Sequence, residues 1–300
     1  MAFVTIFLNV MMPVFGIVVI SYLLGNRLQL QARTLTKTAY YVLVPCFIFE
    51  ALSSAEIPLP HAVKIVCFVV LSQLVIGLIA GGYARLLGRS REMIAAFVIV
   101  AIAGNVGNYG IAVIIFRLGE TATASATFFY VIMSAIIFIG SVGIAGWVHG
   151  GGGGVMQGLL KTPALWAMAV GLLASGNDLV LPTMMSRMIG LLAQAMIPIM
   201  LLSLGLQLLE QKHLRFSVDL LAVSGFRLLL APLVAGLIAI PFGFGEIDYA
   251  SGVLQFGMPT AVMATIIAKE HDIDPQFIVS AVLFTVLASL ITLPLIMILI

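Results

Sequence analysis

Two amides three residues apart, Asn105 and Asn108, stand in the run Gly104-Asn105-Val106-Gly107-Asn108-Tyr109-Gly110, inside an apolar segment from about Met93 to Phe116. An amide carries donors and an acceptor together, which suits a carboxylate or a dehydrated cation. On near-helical backbone a spacing of three puts both on one face. The same amides could instead satisfy backbone groups freed where the helix breaks. A break is expected, because each glycine costs about 1 kcal/mol in a helix interior and lipid offers an amide no partner. A second interrupted stretch, Gln255-Phe256-Gly257-Met258-Pro259-Thr260, lies roughly 150 residues on, within Ile247–Ala268. Two broken apolar segments at matching places in two halves point to a transporter's binding site. Gly107, Tyr109, Gln255, Met258, Pro259 and Thr260 therefore join the asparagines as candidate substrate-binding residues. Pro259 has no N–H and suits the first turn of a half-helix. Half-helices starting near Tyr109 and Met258 would aim positive dipole ends at the midplane, a favourable place for an anion.

Arg227 is the remaining candidate. It lies about 16 Å into its apolar segment at a rise of about 1.5 Å per residue. A charge at that depth faces a cavity or a partner. All 12 Asp and Glu fall at or near segment ends, which leaves carbonyls, water or an anionic substrate to meet it. The same distribution disfavours a proton relay. Glu50 is the one carboxylate near the end of the second span, and His61, His149, His213 and His271 sit in loops or at ends. A sodium site built from Asn, Thr, Gln and carbonyl oxygens stays open, as does uncoupled transport, so Na+ or H+ is an undecided coupling ion, and no cofactor or metal is assigned. Cys46 and Cys67 fall in apolar segments without ligand spacing and read as packing residues. Intramembrane hydrolysis needs a metal pair, facing aspartates or an activated serine. The sequence has no His-Glu-x-x-His, Gly-x-Gly-Asp or Gly-x-Ser-x-Gly, so an enzyme is rejected.

The elements that must position these residues are read from hydropathy. The chain of 300 residues is 62% hydrophobic and 9% charged, with a mean hydropathy of +1.21. Soluble domains carry about 25% charged residues. The net charge of +2 comes without a basic tract, so nucleic acid is not an expected partner; the lipid bilayer is. Ten segments near the ~20 residues a bilayer requires can be drawn: Phe3–Leu24, Thr34–Ser53, Ala62–Leu87, Met93–Phe116, Ala122–Val148, Leu159–Ser175, Ser186–Leu209, Phe216–Ile240, Ile247–Ala268 and Gln276–Ile300. The N-terminus is apolar from Ala2 without a basic region or cleavage site and reads as the first span rather than a signal peptide.

Lys and Arg set the orientation. One set of loops holds Arg27, Arg33, Lys37, Arg85, Arg89, Arg91, Lys161, Lys212, Arg215 and Lys269, against Lys64, Arg117 and Arg187 on the other. The richer side is expected in the cytoplasm, with both termini outside. The run Gly150–Gly154 reads as a flexible hinge at 150–158, dividing the chain into five spans (1–149) and five more (159–300). An odd number per half inserts the second half upside down relative to the first. Pro45 and Pro198 stand at similar depth, and Gly77-Leu78-Ile79-Ala80 resembles Gly236-Leu237-Ile238-Ala239, which favours an inverted repeat. The expected fold is an all-α membrane protein of ten transmembrane helices, two inverted five-helix repeats with the fourth and ninth broken.

Over nearly its full length the chain resembles the auxin efflux carrier family. The likeness is carried by the asparagine-glycine stretch, Pro45, Met258-Pro259-Thr260-Ala261 and Asp274-Pro275 at the start of the tenth span. Family members often carry a proline just after that stretch; here Ile111-Ala112 stand in its place. The resemblance implies a scaffold of spans one, two, six and seven, with Pro45, Phe49, Glu50, Pro198 and Ser203 on its face, and a transport domain of the other spans. It implies an elevator-type secondary carrier of small organic anions, carboxylates such as malonate, malate or an auxin-like acid. It also implies homodimers through the scaffold and a bacterial inner-membrane location. Two alternatives are a sodium-coupled symporter of the related bile-acid type and a channel. Against the channel, no charged ring or filter-like carbonyl repeat is visible. Ser203 reads equally as a helix-packing residue.

Overall fold

The computed structural model describes residues 2–55, 57–149, 155–177, 181–211 and 214–300. Its described secondary structure is helical, apart from one antiparallel bridge between Gly104 and Thr260. Among the described residues, seven helices are long and apolar enough to cross a membrane: α1 (Ala2–Leu24), α2 (Ala32–Ser53), α3 (Leu59–Leu86), α6 (Glu120–Val148), α9 (Thr183–Glu210), α10 (Val218–Phe242) and α13 (Pro275–Leu299). The other three expected spans are built from shorter pieces. The fourth is α4 (Arg91–Ile102) and α5 (Val106–Leu118). The ninth is α11 (Glu246–Gly257) and α12 (Met263–Glu270).

The sixth, expected to be continuous over Leu159–Ser175, is divided into α7 (Val155–Leu160) and α8 (Pro163–Gly176). Pro163 explains the division: the residue before a proline is pushed toward extended backbone, and Thr162 has φ −80 and ψ 110. Of the expected hinge, Gly150–Gly154 lie outside the described residues, and residue 155 already begins α7. Lys212 and His213 also lie outside them.

Proline shapes the long helices in a second way. Pro13, Pro45 and Pro232 each follow a five-residue π-helical turn, at Phe7–Met11, Ala39–Leu43 and Phe226–Leu230. A proline ring clashes with the carbonyl four residues back. In the wider turn the preceding N–H reaches five residues back, as Val44 does to Ala39 and Ala231 to Phe226, and the chain stays helical. Arg227 lies inside the third of these turns.

Two kinds of contact organise the bundle. Between α1 and α9, and between α2 and α8, glycines let backbones meet. A Cβ on Gly205 would overlap the Val18 carbonyl, and one on Gly171 would lie 3.5 Å from the Phe49 backbone. Around α3, α6, α10 and α11 the filler is aromatic. Phe68 meets Phe129, Phe242, Phe244 and Phe256 edge-on at centroid distances of 5.3 to 6.0 Å. Such pairs add about 0.5–1.5 kcal/mol each beyond their area, and they tie α11, which leads into the second break, to α3, α6 and α10.

Candidate functional site

The two breaks cross and pair. Asn105 N–H donates to the Pro259 carbonyl and Ala261 N–H to the Ala103 carbonyl, each at 2.7 Å, flanking the Gly104–Thr260 bridge. Backbone groups freed from both helices are thus satisfied by each other in a setting where lipid could not serve. Thr260 N–H completes the set on Thr285 Oγ1 of α13, 3.0 Å away. This pairing corrects the expected starts of the half-helices. They begin at Val106 and Met263, not near Tyr109 and Met258. Pro259 is therefore not in a first helical turn; it stands in the paired break with its carbonyl engaged.

The carbonyl ends of the two incoming half-helices converge on one side chain. Arg227 Nη1 donates to the Ala101 carbonyl of α4 at 2.9 Å. Its Nε donates to Met258 O at 2.7 Å, and Nη2 to Phe256 O at 2.8 Å and Gln255 O at 3.3 Å. Gln73 Nε2 takes the neighbouring Ile102 carbonyl at 3.3 Å. A helix C-terminus carries about half a negative charge, and here two of them face one guanidinium. Arg227 is 0% exposed, and among the described residues no carboxylate pairs with it. Of the partners open to it in the sequence, carbonyls are the ones it meets.

Each glycine of the stretch makes room for one side chain. A Cβ on Gly104 would overlap Arg227 Nη2, and one on Gly110 would overlap Gln255 Oε1. One on Gly107 would lie 2.7 Å from Tyr130 Cε2. The three partners, Arg227 of α10, Tyr130 of α6 and Gln255 of α11, come from three different helices.

Beside the crossing lies a cavity of about 350 Å³, within the ~300–1,000 Å³ of small-molecule sites. Asn105, Gly107 and Asn108 line it at the start of α5; Ala261, Val262 and Met263 line it at the start of α12. Tyr130 and Ser134 of α6, Thr36 and Tyr40 of α2, Thr162 and Gln207 supply the remaining polar groups, among apolar residues such as Phe138 and Met200. No described lining residue is an Asp, Glu, Lys, Arg or His. Asn105 is 4% exposed, and its Nδ2 is buried without a hydrogen-bond partner. The first bond within α5 runs from Gly110 N–H to Asn105 O at 3.0 Å, so the N–H groups of residues 106–109 precede any intrahelical acceptor.

The structure thus brings Asn105, Gly107 and Asn108 to the cavity and places the other candidates behind it. Tyr109 turns away, its hydroxyl 3.2 Å from Ser289 Oγ and its ring edge-on to Phe15. Gln255, Met258, Thr260 and Arg227 are fully buried in the packing of the crossing. Among the scaffold candidates, Ser203 joins a polar cluster between α2 and α9. Its Oγ is 2.7 Å from Thr36 Oγ1, and Gln207 Nε2 donates to both hydroxyls. Glu50 lines a second cavity of about 550 Å³ with Phe47, Ile115, Glu120, Gln194 and others, toward the opposite ends of α2, α5 and α9. Pro45 follows its π turn, Phe49 abuts Gly171, and Pro198 stands inside α9.

Sequence reasoning missed Thr36, Tyr40, Tyr130, Ser134 and Gln207. A signal existed: Thr36 with Tyr40, Tyr130 with Ser134 and Ser203 with Gln207 are pairs of polar residues four apart, on one helix face.

Residues 153–297 match a family model described as a membrane transport protein. The chain is 30% identical to an uncharacterized transporter of Methanothermobacter thermautotrophicus, over 95% of this chain and 95% of that protein. It is 23% identical to an uncharacterized transporter of Methanocaldococcus jannaschii, over 96% of this chain and 97% of that one.

Proposed function

The chain belongs to the auxin efflux carrier family of membrane transport proteins, and from that premise we propose that it is a secondary carrier of small organic anions. One observation carries the reading. The unpartnered Asn105 amide, Asn108 and the N-terminal ends of α5 and α12 all border one uncharged cavity at the crossing. Such an arrangement offers donors and positive dipole ends to a carboxylate and no acid or base for chemistry.

The architecture in this reading is two inverted five-helix repeats, with α1, α2, α7, α8 and α9 as scaffold and the other helices as the elevator. The backbone contacts at Gly205 and Gly171 and the aromatic group around Phe68 support that division. The Lys- and Arg-rich loops lie in the cytoplasm and both termini outside. Thr36 and Thr162 of the cavity adjoin Lys37 and Lys161, and Ile267 lies close to Lys269, so the crossing is open inward and the cavity at Glu50 is the outer mouth. Alternating access would close one and open the other around Asn105 and Asn108.

Uptake of labelled malonate, malate and an indole acetate into proteoliposomes, with and without sodium and proton gradients, tests the proposal. Saturable uptake of one of them is expected. Uptake that requires sodium would favour the bile-acid type of symport, and a rate that never saturates would favour a channel.

A further inference from the structure

Arg227 lies one glycine away from the cavity and does not line it. Gly104 lines the cavity, and the guanidinium fills the place of the missing Gly104 Cβ on its buried side. All four of its hydrogen bonds go to carbonyls at the C-terminal ends of α4 and α11. Those two ends carry together about one negative charge, and the two N-terminal ends of α5 and α12 carry about one positive charge. Without the guanidinium, the four helix ends at the crossing would cancel. With it, the C-terminal ends are neutralised and the positive ends remain. Both positive ends border the cavity, at Asn105 to Asn108 and at Ala261 to Met263.

We infer that Arg227 is a positioning residue that sets the charge selectivity of this cavity, for a singly charged anion, without touching its occupant. The inference rests on the carrier reading of the same cavity. A second observation points to the ligand. Asn105 lines the cavity, and its Nδ2 is a buried donor without a hydrogen-bond partner. A monoanion completes neutrality there. A dianion brings a second charge into a lining without a described Lys, Arg or His, and an uncharged molecule forgoes the field. In the low-dielectric interior of a membrane protein, a net charge at this range acts strongly on the occupant without contact.

The test is binding by purified full-length protein of three probes: phenylacetate, its uncharged isostere phenylacetamide, and malonate. Wild-type protein is expected to bind phenylacetate about tenfold or more tightly than either of the others. Arg227→Lys keeps the charge but not the planar fork, so the preference for phenylacetate survives while Tm falls. Arg227→Met, checked for folding by size exclusion, brings phenylacetate and phenylacetamide to within about twofold of each other. Loss of stability alone would not change that ratio. Unchanged preference in folded Arg227→Met overturns the inference. So does wild-type protein that binds malonate or phenylacetamide as tightly as phenylacetate, or binds none of the three, even where Arg227→Met fails to fold. The carrier reading is tested separately, by the uptake panel, and falls if uptake there is absent or never saturates.

Discussion

The guanidinium of Arg227 occupies the place that a Cβ on Gly104 would take. A Cβ on Gly104 would overlap Nη2 and come within 2.9 Å of Cζ. The obstacle is the rigid head of a side chain held by four carbonyl hydrogen bonds, so it cannot swing aside as a free arginine would. Gly104 is thus required by a residue 123 positions further along the chain.

Gly104→Ala is therefore expected to destabilise the protein by about 1–3 kcal/mol, the usual cost of overpacking. Gly82, in α3, has open space around its missing Cβ. There the same substitution should be neutral or stabilising by up to about 1 kcal/mol. Thermal unfolding in detergent compares the two. Equal effects would mean that the Gly104–Arg227 contact is not what the glycine serves.

Removing the cavity amides should cost binding and not folding. Asn105 holds the crossing by its backbone, and its Nδ2 has no partner to lose. A hydrogen bond to a charged ligand is worth roughly 1.5–3 kcal/mol, so Asn105→Ala or Asn108→Ala should weaken carboxylate affinity about ten- to hundredfold. Calorimetric titration of each variant measures this. Wild-type affinity in both would remove the proposed site.

Thr285 is a structural counterpart. Its hydroxyl accepts the Thr260 N–H and donates to the Ala281 carbonyl at 2.7 Å. Thr285→Val leaves a buried N–H without a partner at a cost of about 1–3 kcal/mol, whereas Thr285→Ser keeps the bond. The expected order of Tm is wild type, then Ser, then Val. A valine variant as stable as wild type would mean that the break does not depend on this support.

How much of this was legible follows from the physics of each feature. Glycine, asparagine and proline announced both breaks, because their helix penalties are local. The starts at Val106 and Met263 were not legible, since a backbone pairing between residues 103–105 and 259–261 fixes them. Arg227 was readable as a charge without a carboxylate, but not as the cap of two helices at once. The glycines read as helix breakers; their second role depends on Arg227, Tyr130 and Gln255, which only folding brings near. Tyr130 and Gln207 were marked only by a polar neighbour four residues away, Ser134 and Ser203, a faint sign in helices apolar on nearly every other position.

The side of the membrane on which the cavity opens can be read with a single cysteine. In a background with Cys46 and Cys67 replaced by serine, Ser134→Cys should react with a membrane-impermeant maleimide from the cytoplasmic side, and saturating substrate should slow the reaction. Labelling from the outer side alone would reverse the orientation taken from Lys and Arg.

The central claim is that an organic anion is carried through the cavity at the crossing. Its most direct test is charge movement across proteoliposome membranes when carboxylates are presented, wild type beside Asn108→Ala. A saturating, substrate-specific current that vanishes in the folded variant is the predicted result. A current that never saturates, or one that Asn108→Ala leaves unchanged, would contradict it.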